Sequence, residues 1–407
     1  MRFSTELLHG TSPDKLTGST TQPIYQTLAY YQEKAEDMEK IFAGKKPGFV
    51  YTRVNNPTIA NFERRMAALE HGIGAVAFSS GMSAISMAIM NIVETGDEIV
   101  SSSGLFGGTS AFFNELKSFG VDVKYVVENQ IDNFEKLISE KTKLIYVETI
   151  GNPKLNVADI KLLAELAHSK NLPLFVDNTV TTPYLIRPLD FGADIIIHST
   201  SKMINGGGNS IGGIVICGKN FKWNPTKFPK FTEFAKFGNL SYIVRLRNNI
   251  LTNFGSCAAP FNVFLTGIGL DTLELRMERS CQNALNLAKF LSNQKNIQVN
   301  YPGLENNFYH KLAKRQFNDK FGTMLTLRLG NKENAFKFIN SLKFALNVSN
   351  IGDARTLVIH PASTIYAHAS NEERSIAGVT DDLIRINVGI EDINDLIDDF
   401  SSSLSSL

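Results

Sequence analysis

Lys202 closes the stretch "DIIIHSTSK" (194–202), in which three isoleucines are followed by hydroxyls and a single amine. Lysine is seldom fully buried unless it is paired or bonded, so an amine set directly behind an apolar run asks for a chemical reason. Other polar groups stand at the ends of similar short runs. Ser79, Ser80 and Gly81 follow "AVAF", Asn152 follows "KLIYVETIG", Asp177 follows "PLFV", and Ser199 and Ser201 flank the lysine. Taken singly, each has an ordinary structural explanation. A lone lysine is a surface charge or an ion-pair partner, an aspartate after a strand caps a turn, and "SSGMSA" is a common helix opening. Taken together, they supply what one cofactor needs. Pyridoxal phosphate requires a lysine for a Schiff base and a carboxylate to keep its ring nitrogen protonated. It also requires a helix N-terminus with hydroxyls for its phosphate. Asp177 lies 25 residues before Lys202, one helix-plus-strand repeat away, so the two can flank one ring.

The surrounding elements would bring these groups to one edge. "GAVAF", "DEIVSS", "DVKYV", "KLIYVET", "PLFVDN", "DIIIHS" and "GGIVIC" read as seven short apolar strands, and amphipathic segments such as "SGMSAISMAIMNIV" and "DIKLLAELAHSKN" read as helices between them. This alternation predicts a mostly parallel sheet covered on both faces, and in such sheets ligands bind beyond the carboxyl ends of the strands. Before the first strand, Asn56 and Pro57 open a helix with Ile59, Phe62, Met66 and Leu69 on one face, and Gly72 stops it. The first fifty residues, rich in Thr, Gln and Tyr, read as an arm without core periodicity. After the seventh strand, "GKNFKWNPTKFPKFTEFAKFG" reads as a loop excursion whose phenylalanines fit no clean helix and suit a surface packed on a partner. A long helical stretch over 270–294 and strands such as "GTMLTLRLG" and "LIRINVGI" then predict a smaller α+β unit.

Composition narrows the function classes. The 407 residues are 43% hydrophobic and 20% charged, a globular balance with length for two packed units. The formal net charge of +1 offers no electrostatic footprint for nucleic acid or an anionic membrane. Three cysteines without metal-ligand spacing predict free thiols in a reducing compartment and no metal site. The N-terminal 25 residues lack an apolar core of signal-peptide length, and the most apolar long stretch, over 72–93, is broken by serines and glycines. The expectation is a cytoplasmic protein. A nucleotide-binding reading fails for want of a GxGxxG helix opening or a Walker lysine. A cofactor-binding regulator without turnover is a further alternative, against which the pairing of Lys202 with Asp177 argues.

Seven motifs in order, "YTRVNNPT" (51–58), "SSGMSA" (79–84), "GNP" (151–153), "DNT" (177–179), "STSK" (199–202), "GDARTLVIHPAS" (352–363) and "IRINVGIE" (384–391), resemble the Cys/Met-metabolism family of pyridoxal-phosphate enzymes, over nearly the whole chain. The resemblance implies the pyridoxal-phosphate-dependent transferase fold type I, a three-layer α/β/α unit with a seven-stranded sheet and a smaller α+β C-terminal domain. It implies an arm over 1–55 reaching a neighbouring subunit, a cofactor domain over 56–255 and a substrate-carboxylate domain over 256–407. Lys202 would be the Schiff-base lysine, Asp177 would hold the ring nitrogen, and Asn152 would contact the ring hydroxyl. The amides of Gly81 and Met82 with the hydroxyls of Ser199 and Ser201 would bind phosphate. Tyr51 and Arg53 would reach the phosphate of a neighbouring subunit, in a homotetramer built from two close dimers. Arg385, with Asn350 near it, would clamp the substrate carboxylate.

The chain also departs from the family pattern. Where the family usually stacks a tyrosine on the ring, this chain has Phe106, which can stack but cannot donate a proton. Gly108 stands where methionine γ-lyases usually have cysteine, Arg355 keeps a basic residue typical of sulfhydrylases, and Ile365 and Tyr366 replace a usual Thr-His. Acetate leaves without much acid assistance, so the resemblance implies an O-acetylhomoserine sulfhydrylase of methionine biosynthesis. Such an enzyme makes homocysteine from an O-acylated homoserine and sulfide, or sulfur from a thiocarboxylated carrier protein docked on residues 221–237. Tyr51 of a partner subunit is a substitute acid, and the alternatives are a cystathionine γ-synthase or a cystathionine or methionine γ-lyase.

Overall fold

Period-two alternation along strands that are buried on both sides organises the larger part of the molecule. The computed structural model describes residues 1–10, 18–127 and 130–407, so residues 11–17 of the expected arm lie outside the described set. Seven strands form one sheet: β1 (Gly74–Phe78), β2 (Glu98–Ser102), β3 (Asp122–Val126), β4 (Thr142–Glu148), β5 (Leu174–Asp177), β6 (Ile195–His198) and β7 (Gly213–Cys217). Their order is β1-β7-β6-β5-β4-β2-β3, and only β7 runs against its neighbours. Ile195 and Ile197 of β6 join one apolar layer with Phe78, Tyr146 and Phe175, while Ile196 joins the other with Ala77, Ile145 and Val176. The helix Gly81–Met90 covers the first face and the helix Pro57–Leu69 the second. This is the three-layer arrangement that the alternating pattern predicts.

The start of the helix Pro57–Leu69 is heavily bonded. The Asn56 side chain accepts the Thr58 amide at 2.9 Å and donates to the Tyr25 carbonyl at 2.8 Å and the Tyr30 hydroxyl at 2.9 Å. It thus caps the helix and ties the N-terminal segment to it. The arm differs from expectation at its start. Phe3–His9 is a helix whose Leu7 is buried, and Glu6 pairs with Arg187 at 2.6 Å. Phe3 and Leu7 stand four apart, one helical turn that is too short for a periodicity test to register.

The aromatic stretch after β7 also differs. Phe221, Trp223, Phe228 and Phe231 are buried, and Trp223 stacks on Tyr242 at 4.7 Å. Most of Pro229–Leu240 is 3₁₀ helix, in which residues three apart lie above one another. Phe228, Phe231, Phe234 and Phe237 have that spacing. The rings of Phe221, Trp223, Phe228 and Phe231 pack inside their own chain, while Phe237 stays exposed.

The smaller unit carries a second sheet of β8 (Gln298–Asn300), β9 (Met324–Arg328), β10 (Leu346–Asn347), β11 (Leu357–Ile359) and β12 (Leu383–Asn387), ordered β10-β11-β12-β9-β8. Arg385 sits on the central strand β12, paired with Ile359 on one side and Thr326 on the other. The long helical stretch is Leu273–Ser292, separated from the helix Pro260–Leu270 by two residues. Phe338 and Phe400 lock the last helix onto this unit edge-to-face at 5.5 Å. Phe400→Ala should lower unfolding stability by about 3–5 kcal/mol, measured by denaturant titration.

Candidate active site

A cavity of about 390 Å³ lies where β4, β5 and β6 end, the helix Gly81–Met90 begins, and β12 of the smaller sheet arrives. Lys202, Asp177, Asn152, Ser199, Ser201, Gly81, Met82, Phe106, Asn350 and Arg385 all line it. Each larger element delivers its residue from a strand end or a helix start, as the sheet topology dictates.

Lys202 follows β6 by four residues in a turn closed by a bond from the Gly206 amide to the Lys202 carbonyl at 2.9 Å. Gly206 has φ +66°, and its space is taken by the Arg276 guanidinium. Arg276 donates to the carbonyls of Met203 and Gly269, each at 2.6 Å, and so staples the turn to the helix Pro260–Leu270. The Lys202 amine donates to Asn350 Oδ1 at 2.6 Å. Burial, with Arg385 nearby, pulls that amine down to about 8.

Arg385 is 4% exposed, and no carboxylate pairs with it among the described residues. Its guanidinium donates to Asn152 Oδ1 at 3.1 Å and to the Asn350 carbonyl at 2.9 Å. Burial pulls it down to about 10. A buried guanidinium held only by neutral acceptors calls for an anion in the cavity beside it.

Asp177 ends β5 and is buried; its Oδ1 accepts the Thr179 amide at 2.9 Å. The Thr179 hydroxyl in turn accepts the Ser199 amide at 2.8 Å, linking the carboxylate to the turn before Lys202. Across the floor, the first two amides of the helix Gly81–Met90 have no intrahelical acceptor. A Cβ on Gly81 would come 2.5 Å from the Ser199 Cβ, so only glycine lets hydroxyl and amides converge there. The Ser201 hydroxyl accepts from the Gly212 amide at 2.9 Å and donates to its carbonyl at 3.1 Å, which leaves it one acceptor position.

Tyr51 and Arg53 do not line the cavity. Arg53 lies over the Tyr51 ring at 5.5 Å and bonds the Thr252 carbonyl. Arg355 is exposed and paired with Asp353 through two bonds of 2.9 and 3.1 Å, next to Gly208 at the cavity wall. Thr179 and Glu148 also line the cavity, and so does Ile365 of the Ile365–Tyr366 pair. Thr179 was legible as the last residue of "DNT", and Glu148 as a polar residue ending an apolar run. The contact of Tyr366 was not legible, since its hydroxyl reaches the Leu105 carbonyl at 3.0 Å across 261 residues. Among the described residues no group of His, Cys, Asp and Glu could hold a metal, and the three cysteines are free thiols.

The chemistry of these donors fits pyridoxal phosphate. The helix start and Ser199 suit a phosphate, Asp177 suits a protonated ring nitrogen, Phe106 suits the ring face, and Lys202 suits an aldehyde. The sequence pattern described as Cys/Met metabolism PLP-dependent enzyme matches residues 4–405. A homocysteine synthase of Schizosaccharomyces pombe is 44% identical, over 99% of this chain and 98% of that protein. An O-acetyl-L-homoserine sulfhydrylase of Leptospira meyeri is 40% identical, over 98% and 96%. A Campylobacter jejuni crystal structure described as an O-acetylhomoserine (thiol)-lyase with a pyridoxyl-lysine superposes with a TM-score of 0.95 at 33% identity, covering all of both chains.

The lowered Lys202 amine can be tested directly. In cofactor-free protein, trapping of a small aldehyde at Lys202 by cyanoborohydride should rise with pH and level off above about pH 8, while labelling of exposed lysines keeps rising toward their ordinary value near 10. Peptide mapping across a pH series gives the two curves.

Proposed function

This chain belongs to the Cys/Met metabolism PLP-dependent enzyme family, and from that premise we propose that the Lys202 cavity converts O-acetyl-L-homoserine and sulfide to L-homocysteine and acetate. The fold is the type I fold of pyridoxal-phosphate-dependent transferases, with its mostly parallel seven-stranded sheet and smaller C-terminal sheet. Bound pyridoxal phosphate supplies an aldehyde that holds the substrate amine and a ring that takes up the charge left at Cα.

The protein's own groups do the rest. Lys202 would hold the cofactor aldehyde, and its Nζ would move protons at Cα and Cβ of the substrate. Arg385 binds the substrate carboxylate and Asn350 spaces it from Lys202. Asp177 keeps the ring nitrogen protonated, and Asn152 addresses the ring hydroxyl. Gly81, Met82 and Ser199 hold the phosphate, and Ser201 joins them by turning its hydroxyl proton from the Gly212 carbonyl toward it. The Cγ substituent then leaves as acetate and sulfide adds in its place.

One observation carries the choice of leaving group. The cavity wall at position 106 is a phenylalanine ring, and the phenol beside Gly107, on Tyr366, already donates to the Leu105 carbonyl. A thiolate leaving group gains from an acid there, whereas acetate does not need one. Free sulfide is the donor we favour over a carrier protein, because the rings of 221–231 face inward. Tyr51 and Arg53 lie outside the cavity of their own chain, which supports a second copy supplying them, within a homotetramer of two close dimers. We place the enzyme in the cytoplasm; among the described residues no helix is long and apolar enough to cross a membrane.

Purified protein given O-acetyl-L-homoserine and sulfide should release homocysteine and acetate. Ammonia and 2-oxobutyrate from methionine or cystathionine as the sole products would reject the reading in favour of a γ-lyase. Lys202→Ala should lower kcat by roughly 10²–10⁴-fold or more. Arg385→Lys should raise KM for the acylated amino acid by at least about 30-fold, the equivalent of ~2 kcal/mol from a buried charged contact. Chains carrying Lys202→Ala and chains carrying Arg53→Ala, each inactive alone, should regain activity when co-assembled; no recovery would reject the shared site.

A further inference from the structure

Glu148 and Asp177 end neighbouring parallel strands and stand directly opposite in the β4–β5 register, so their side chains project to the same face. Both are buried, at 6% and 8% exposure, and both line the cavity. Among the described residues no Lys, Arg or His forms an ion pair with either. Two carboxylates in one buried space without a cation between them do not both ionise.

Hydrogen bonding decides which one keeps the charge. Asp177 accepts the Thr179 amide at 2.9 Å, with the Thr179 hydroxyl beside it. Glu148 accepts the Phe106 amide at 2.7 Å through Oε1 with the Asn152 amide also facing its carboxyl, whereas hydroxyls of Thr179 and Tyr146 face Asp177 and none bonds Glu148 among the described residues. The other titratable or charged groups facing the pair offer Glu148 no positive charge at bonding distance; His198, which faces Asp177, is bonded to Glu70 at 2.7 Å. Tyr146, on the same strand, is fully buried and its hydroxyl lacks a bond of ordinary geometry, as does that of Thr109. Tyr366, from the smaller unit, directs its proton to the Leu105 carbonyl. Lys202 and Arg385 are engaged with Asn350 and Asn152. Burial and the neighbouring Asp177 push the Glu148 carboxyl well above the usual carboxylate range.

We infer that Glu148 is a positioning residue that works as a neutral carboxylic acid, anchoring the backbone of Phe106 against the cofactor ring while leaving the negative charge of the pair on Asp177. The anchor is needed because Phe106 precedes the helix Gly107–Leu116 and caps it with no side-chain bond. Its ring position therefore rests on the backbone bond to Glu148 and on the Tyr366 contact next to it. The role of the ring rests on the function proposed above; the protonation state of Glu148 does not.

Two measurements separate these. Infrared difference spectra of cofactor-free wild-type and Glu148→Gln protein at neutral pH should contain a protonated-carboxyl stretch that is lost in the variant. Absence of that band overturns the neutral-acid assignment, whatever the protein binds. Absorbance titration with pyridoxal phosphate should then show binding weakened about tenfold in Glu148→Ala, the scale of one buried hydrogen bond. Glu148→Gln should restore it to within about threefold of wild type and leave the pH midpoint of the bound chromophore in place. A glutamine variant as weak as the alanine variant, or a midpoint moved by about one pH unit or more, would overturn the inference. Wild-type protein that takes up no pyridoxal phosphate would instead overturn the proposed function, while the infrared band still decides the state of Glu148.

Discussion

Two cations share one buried cavity and are joined through a single neutral residue. Asn350 accepts the Lys202 amine on its side-chain oxygen and an Arg385 nitrogen on its backbone carbonyl. Neither cation has a carboxylate partner among the described residues. Desolvating a charge without an opposite charge is expensive unless bonded groups or a ligand offset it. The amine answers by giving up its proton more readily, and the guanidinium, which stays charged, turns to the cavity as a binding group for an anion. Much of the surrounding structure serves to hold these two groups in place.

The lysine is held from one unit and the arginine from the other. Lys202 depends on β6, on the Gly206 turn and on the staple made by Arg276. Arg385 depends on β12, which is central in the smaller sheet and bonded on both sides. Asn152, beyond β4, bonds Arg385 and so ties the carboxyl edge of the large sheet to the small one. A shift of either sheet would break the contact between them, so packing of the two units and competence of the site are one property. The cavity floor, by contrast, is built within the large unit alone, from the start of the helix Gly81–Met90 and the turn before Lys202.

The departures at 106, 365 and 366 form one connected change. Phe106 and Ile365 both line the cavity, and a Cβ on Gly107 would lie 3.3 Å from the Ile365 carbonyl. Tyr366, behind them, spends its hydroxyl on the backbone at Leu105. This wall offers the cavity no free proton donor from these three residues, and its backbone is held by Tyr366 on one side and Glu148 on the other. That is a wall suited to a substituent that departs as a stable anion.

The sequence by itself determined the strand pattern and the residues placed at strand ends. Apolar runs bounded by turns declare themselves through burial, and chemistry collects at their carboxyl ends for topological reasons. Lys202, Asp177, Gly81 and Ser199 were legible on that ground, and Arg385 through its motif. The docked helix Phe3–His9 and the buried rings of 221–231 were not. One turn is too short to show a period, and a 3₁₀ spacing of three falls between the helical and strand periods. Only the tertiary structure could bring Asn350 to Lys202 across 148 residues, or set Glu148 against Asp177 and beneath Phe106. Those relations depend on strand register and on how two sheets meet. A chain encodes both through the sum of its packing, and no local spacing reports it.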